Sequence, residues 1–318
     1  MFIPLRAQSY YSFLRGLASP KELAQIAECY HLPALGLTDH HSLTGAIEFY
    51  DACQTAGVRP ILGLEVNAAP PPGLELTAPG VLALMATDLT GWRSLCRIAS
   101  ALDGDKAVLP FDILAQECAG LLCLTGGYRG RLTQLVRHGQ FATATLWLDQ
   151  MQEIYTGRLY VELQRHTPED HAVTVALAAI CQRQHLPFVA THDIYYLNPQ
   201  QSALSKLLAA IRVIRPLNEL PTESCAPPDA VFHPPDELTH RFQDMPAAVA
   251  ATAEIGDRCR LELPLGKPRF PEIELPEGMT ALDLLSHKAH TGAVHIYDSS
   301  VKSRTLTTQN RSGDKRRL

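Results

Sequence analysis

Residues 34–66 read ALGLTDHHSLTGAIEFYDACQTAGVRPILGLEV, and their order decides the fold class. Ala34-Leu35-Gly36-Leu37 is an apolar run of strand length, closed by the polar cluster Thr38-Asp39-His40-His41. Thr44–Ala56 then carries apolar residues at helical spacing, Gly57 stops it, and Arg59–Val66 is a second strand-like run with Glu65 near its end. Upstream, Phe2–Leu5 is a short apolar start, and Ser19-Pro20-Lys21-Glu22 supplies a cap and a first-turn proline to the helical ELAQIAECYHL. The chain up to Val66 therefore alternates β-α-β-α-β with polar groups at strand ends, the grammar of a parallel sheet or barrel.

Pro70-Pro71-Pro72-Gly73 interrupts as a surface loop, after which the alternation resumes. Val81–Ala86, Leu121–Leu124, Arg158–Leu163 and Phe188–Ala190 read as strands; Thr90–Leu102, Arg131–His138, Phe141–Tyr155 and Pro168–His185 read as helices. This pattern predicts an α/β fold, a distorted (β/α)7-type barrel whose active groups sit at strand C-terminal ends. Thr38-Asp39-His40, Glu65, Glu162 and Thr191-His192-Asp193 fall at such ends. Beyond Asn198 come a helical Ser202–Ile211, a proline-rich Pro221–Pro235, a helix from Pro246 to Cys259, the proline-punctuated Pro264–Pro276 and a short helix Ala281–Ala289. The expected organisation is one domain over 1–262, with a barrel core over about 1–200 and a helical, proline-rich extension over 201–262. A connector follows over 263–302, then a basic tail over 303–318 whose composition predicts disorder.

The whole chain, 318 residues with 46% hydrophobic and 19% charged, has globular composition, which excludes collagen-like, disordered and small disulfide-stapled classes. Its formal charge of −5 gives no reason to expect a nucleic-acid or membrane binder. The charge is uneven: residues 301–318 carry +5, which leaves −10 on residues 1–300. The 8 cysteines show no CxxC pair and no zinc-finger spacing, and read as buried free thiols of a reducing compartment. With no basic-then-apolar leader and no long apolar run, the expected localisation is cytoplasmic.

Five stretches in register carry a resemblance. They are Thr38-Asp39-His40 with Gly45–Tyr50, Ala56–Val66, Ala86–Leu95, Tyr160–His166 and Val189–Leu197. Together they resemble the N-terminal polymerase-and-histidinol-phosphatase (PHP) domain of bacterial C-family DNA polymerase III alpha subunits, over about residues 1–300. In metal-binding members of that superfamily, the resemblance implies a ligand set of His-x-His, Asp-His, Glu and a final Asp-x-His around two or three divalent ions such as Zn, Mn or Mg. Neutral imidazoles and carboxylates bind such ions, and closely spaced ions make hydroxide and steady a phosphoester displacement.

This chain departs from that set. Arg6 and Gln8 stand where the first imidazoles would be, Arg15 where an acid is expected, and Val81, Gly127 and Tyr195 at further ligand positions. Of the implied metal ligands His40, Glu65 and Asp193 remain; they are expected to be a structural remnant, with no catalytic or cofactor-binding residues assigned. His41 and His192 are neighbours that could compensate, although adjacent strand residues face opposite ways. An Arg6 beside Glu65 and Asp193 would replace exchangeable cations by a fixed guanidinium. Glu162 reads as a strand-end hydrogen-bonding residue and Gly126–Gly130 as a turn. His138, His171, His185, His287, His290 and His295 read mostly as solvated faces.

Three functions stay open on these grounds. One is a PHP-domain fragment of a polymerase III alpha-type subunit in DNA replication or repair synthesis. Another is a stand-alone PHP phosphoesterase or 3′–5′ exonuclease built on His40, His41, Glu65, His192 and Asp193. The third is a non-catalytic replisome interaction module. The resemblance implies a polymerase core and replisome proteins as partners, DNA only through a polymerase body, and no membrane. The patternless basic text after Arg304 is expected of a truncated or frameshifted reading frame, or of a natural short protein with a basic tail.

Overall fold

The strand–helix alternation expected from the sequence is present, with one strand reversed. The computed structural model describes residues 1–74, 76, 78–102, 107–266 and 273–297. β1 (Arg6–Ala7), α1 (Pro20–Cys29), β2 (Ala34–His40), α2 (Ala46–Thr55) and β3 (Arg59–Ala68) open the chain. Ser19 caps α1 reciprocally: Glu22 N–H donates to its hydroxyl at 3.1 Å, and Ser19 N–H donates to the Glu22 carboxylate at 2.8 Å. β2 lies parallel to β1 and β3, and this register sets His40 opposite Glu65.

β4 (Gly80–Ala86) runs antiparallel to both β3 and β5 (Leu121–Leu124), which corrects the expectation of an all-parallel sheet. Parallel neighbours need a long crossover, usually a helix, whereas the loop containing Pro70–Gly73 returns the chain without one. α3 (Leu89–Ala101) and α4 (Phe111–Gln116) fill the next connection, and α5 (Arg131–Arg137) and α6 (Phe141–Ile154) lead to β6 (Leu159–Gln164). α7 (Asp170–Gln184) then crosses to β7 (Phe188–Thr191), which is parallel to β6.

Only His192 separates β7 from β8 (Asp193–Ile194). β7 borders β6 while β8 borders β1, with Asp193 opposite Arg6, so one stretch of chain flanks both ends of the sheet order β7-β6-β5-β4-β3-β2-β1-β8. That stretch closes the barrel. Counted as a single strand, it gives the (β/α)7-type arrangement expected from the sequence.

Side-chain alternation divides the core in two. Leu62, Leu64, Leu84 and Val161 belong to a cluster with the helix residues Leu95, Trp147 and Leu177. Their strand neighbours Ile61, Ala83, Met85, Leu122, Tyr160 and Val189 cluster instead with Ala251 and Ile255 of α10 (Pro246–Arg258) and with Cys259 just after it. α10 is therefore the plug of the barrel interior. Toward the strand C-terminal ends the same parity becomes polar, giving buried Glu65, Glu162, Gln164 and Asp193. α8 (Ser202–Val213) and α9 (Pro235–Arg241) precede the plug; α9 and α4 are short helices absent from the sequence expectation.

The chain divides into a unit over Met1–Leu263 and a second over Pro264–Leu318. In the second, α11 (Ala281–Tyr297) extends well past the expected Ala281–Ala289 and is preceded by Thr280, whose hydroxyl accepts from Asp283 N–H at 3.2 Å. The basic segment 303–318, like residues 267–272 and 298–302 of the expected connector, lies outside the described residues. All the cysteines are free. Cys53, Cys123, Cys181 and Cys259 are buried, but Cys29 is exposed and Cys96, Cys118 and Cys225 are half-buried, so burial extends to fewer thiols than expected. No helix among the described residues is long and apolar enough to cross a membrane.

Candidate functional site

At the polar end of the barrel, Arg6 Nη2 donates to Glu65 Oε2 at 2.6 Å and Arg6 Nε to Asp193 Oδ1 at 3.1 Å. Glu162 Oε1 lies 3.7 Å from the same Nε. The guanidinium is 1% exposed. Burial works against its charge, but the carboxylates of Glu162, Asp193 and Glu65 outweigh that and hold its pKa above the ordinary arginine value. Register explains the meeting: β1 sits between β2 and β8, so Arg6 enters the barrel level with Asp193.

Glu65 has a second guanidinium. Arg129 Nη2 donates to Glu65 Oε1 at 2.8 Å and to the Tyr195 hydroxyl. For Glu65, burial would raise the carboxyl pKa, yet Arg129, Arg6 and His40 together hold it well below the usual range. Arg129 is delivered by the turn Gly127–Arg129, entered through Gly126 at φ +84°, where a side chain would strike the Val81 carbonyl. Gly127, at φ +52°, faces a softer neighbour: a Cβ there would lie 2.2 Å from Gln164 Cδ, so the end of that side chain would have to shift.

His40 is held from both sides. Its Nδ1 lies 2.9 Å from Glu65 Oε1, and Arg15 Nη2 lies 3.1 Å from its Nε2. An arginine can only donate, so Nε2 is the acceptor and Nδ1 carries the proton given to Glu65. Burial pushes the imidazole down to about 4, against the opposing pull of Glu65, which keeps it neutral near pH 7. His41 stacks on His40 at 3.9 Å, and its Nε2 accepts from Asn67 N–H at 3.1 Å.

The surrounding polar groups lock this cluster. Gln164 Nε2 donates to Asp193 Oδ1 at 3.1 Å and to the Thr191 hydroxyl at 3.1 Å. Glu162 accepts from Gly126 N–H at 2.5 Å and from the Thr191 hydroxyl at 2.8 Å, which is the strand-end hydrogen-bonding role read from the sequence. Asp39 accepts from Ser9 N–H at 2.6 Å and from the hydroxyls of Ser9 and Ser12, each at 2.7 Å. Asp193 Oδ2 has no hydrogen-bond partner among the described residues and lies 4.0 Å from His166 Nε2.

Thus His40, Glu65 and Asp193, read from the sequence as remnant ligands, meet around two arginines. His192 does not join them: it has the opposite strand parity from Asp193, and its Nε2 lies 3.1 Å from the Val231 carbonyl oxygen. Sequence reading missed Arg129. The available signal was the glycine pair ahead of it, since such a turn can aim the residue that follows into a barrel.

The PHP domain profile matches residues 4–166. A DNA polymerase III subunit alpha from Bacillus subtilis is 30% identical over 287 residues, covering 90% of this chain and 25% of its own length. Error-prone DNA polymerases from Symbiobacterium thermophilum and Mycobacterium tuberculosis are 28% and 32% identical, each covering 93% of this chain and 28% of its own length. The chain thus spans about a quarter of the length of these curated relatives. Among solved structures, an amidohydrolase from Chromobacterium violaceum aligns with TM-score 0.39 and 14% identity over 61% of this chain and 88% of its own. A two-domain protein from Bacteroides vulgatus containing a predicted PHP-like metal-dependent phosphoesterase aligns with TM-score 0.39 and 18% identity, over 61% of this chain and 52% of its own. With its profile match beginning at Pro4 and running through β6 to His166, this chain belongs to the PHP domain family.

Proposed function

We propose that this chain is the PHP module of a DNA polymerase III alpha-type polymerase, serving DNA replication or repair synthesis, and that its barrel site is a fixed-charge cluster rather than a metal centre. The observation that carries this reading is the 2.6 Å contact between Arg6 and Glu65. A divalent ion on Glu65 would have to coexist with two guanidiniums, buried Arg6 and half-buried Arg129, already bonded to both of that carboxylate's oxygens. With one guanidinium on each oxygen of Glu65 and both nitrogens of His40 engaged, these side chains have no donor atom left for the family's ions. The similarity to polymerases over about nine-tenths of the chain supports the replication context. Nucleotidyl transfer, in this reading, belongs to the larger part of such a polymerase, which also provides DNA contact, while the PHP barrel supports the polymerase core and replisome partners.

The test compares wild type with Glu65→Gln and Asp193→Asn, their folding checked by circular dichroism. Equal Zn and Mn content in all three, with no hydrolysis of p-nitrophenyl phosphate or of DNA 3′ ends under added Zn, Mn or Mg, is the expected result. Metal or turnover lost in either variant would instead favour an atypical PHP phosphoesterase or exonuclease.

A further inference from the structure

Outside the barrel, on the other face of its closing strand, a second set of side chains converges. His192 Nε2 lies 3.1 Å from the Val231 carbonyl oxygen, which can only accept, so Nε2 carries the ring proton and Nδ1 keeps its lone pair. Val231 belongs to a segment tied to the strand end: Tyr195 N–H donates to Ala230 O at 2.9 Å, and Phe232 N–H donates to Tyr196 O at 3.0 Å. Pinning Val231 places Asp229 and His233 on either side of it. Potential ligand atoms of His192, Asp229 and His233 all lie within 4.8 Å of one another.

The surroundings of His233 add an independent observation. Its Nδ1 lies 3.0 Å from Glu237 Oε1, and its Nε2 lies 2.8 Å from Asp229 Oδ1. A neutral imidazole has one N–H, and here two carboxylates compete for it. Arg241 Nη2 lies 3.5 Å from the same Nε2 and can only donate, so Nε2 keeps its lone pair, facing Asp229 Oδ1 as well, and Nδ1–H donates to Glu237. Glu237 then serves as the carboxylate that orients a ligating histidine, as the Val231 carbonyl does for His192. Arg241 donates to Asp229 Oδ2 at 2.9 Å and to Glu237 Oε1 at 3.0 Å, which fixes both carboxylates and leaves Asp229 Oδ1 toward His233.

We propose that His192 Nδ1, His233 Nε2 and an Asp229 carboxylate oxygen bind one divalent first-row transition ion of the zinc class. Two imidazoles and one carboxylate suit such an ion, whereas Mg and Ca prefer oxygen-only sets. None of the three residues stands at a position that the PHP resemblance assigns to a metal. The proposal goes beyond the reading of the barrel, which concerns Glu65 and Asp193. Asp229 also lines a cleft of about 1000 Å³, so water can complete the coordination from that side.

The full chain is stripped with chelator and titrated with Zn(II) against a chromophoric competitor, then with Co(II) under visible spectroscopy. One equivalent of Zn and visible Co(II) ligand-field bands are expected. Affinity should fall about 10–100-fold in Glu237→Gln, the ligand-orienting carboxylate. Stoichiometric binding should vanish in His233→Ala and in Asp229→Asn, with wild-type circular dichroism, and persist in Glu65→Gln. No stoichiometric binding by wild type, or full binding by both His233→Ala and Asp229→Asn, overturns the proposal. That result would assign His233 as an imidazolium between two carboxylates. Loss in Glu65→Gln alone overturns it too, and would also contradict the fixed-charge reading of the barrel; loss confined to the His233 and Asp229 variants leaves that reading intact.

Discussion

Arg6 and Glu65, far apart in sequence, meet inside the barrel with Nη2 2.6 Å from Oε2 and both side chains closed to solvent. Such a pair costs desolvation on both sides, and its geometry matters because removing one partner strands the other. Arg6→Met would leave Glu65 with Arg129 and His40, and Asp193 with Gln164, as their remaining polar partners. We expect Arg6→Met to lower unfolding stability by about 3–5 kcal/mol in urea titrations. Adding Glu65→Gln should recover part of that loss, because it removes the stranded charge. A single-variant loss under about 1 kcal/mol would show that the cluster does not stabilise the fold in this way.

Stability should also fall on the acid side. Burial holds folded His40 at about 4, below its ordinary 6.5, so the unfolded chain takes up this proton first as pH falls. The associated stabilisation is complete above 6.5 and is lost between 6.5 and about 4. Glu65 is also depressed in the folded state, so its contribution is present above 4.5 and disappears as pH falls below that. Denaturant midpoints measured from pH 8 to pH 4 should therefore decline, and His40→Gln should flatten the part between 6.5 and 4. A decline of equal steepness in the variant would remove His40 as its source.

Much of the fold was legible because its signals are local. Ser19 and Pro20 mark a helix start that the structure reproduces as a reciprocal cap, and the apolar runs ending at His40 and Glu65 are adjacent parallel strands. The reversal of β4 depends on a missing crossover helix, a signal that Pro70-Pro71-Pro72-Gly73 carried but that alternation alone hides. Arg129 was illegible for a different reason: it reaches Glu65 across a sequence separation of 64 residues through a glycine turn whose direction only tertiary packing sets. The break at His192 likewise becomes meaningful only when β6 and β1 are seen to border the same stretch.

The plug formed by α10 makes a separate packing prediction. Ile255 is fully buried among Ile61, Met85, Leu122 and Val189, residues from four strands of the barrel wall. Ile255→Ala should cost about 2–5 kcal/mol, as expected for a large-to-small change in a core that cannot collapse onto the cavity. Thermal or urea unfolding reads this directly, and a cost under about 1 kcal/mol would mean that the barrel closes without its plug.

The fixed-charge reading of the barrel is tested most directly by anomalous diffraction from crystals soaked in Mn(II) or Zn(II). The account predicts no anomalous peak on the Glu65 carboxylate, with Arg6 and Arg129 retaining their contacts to it; a peak shared by Glu65 and Asp193 would contradict it.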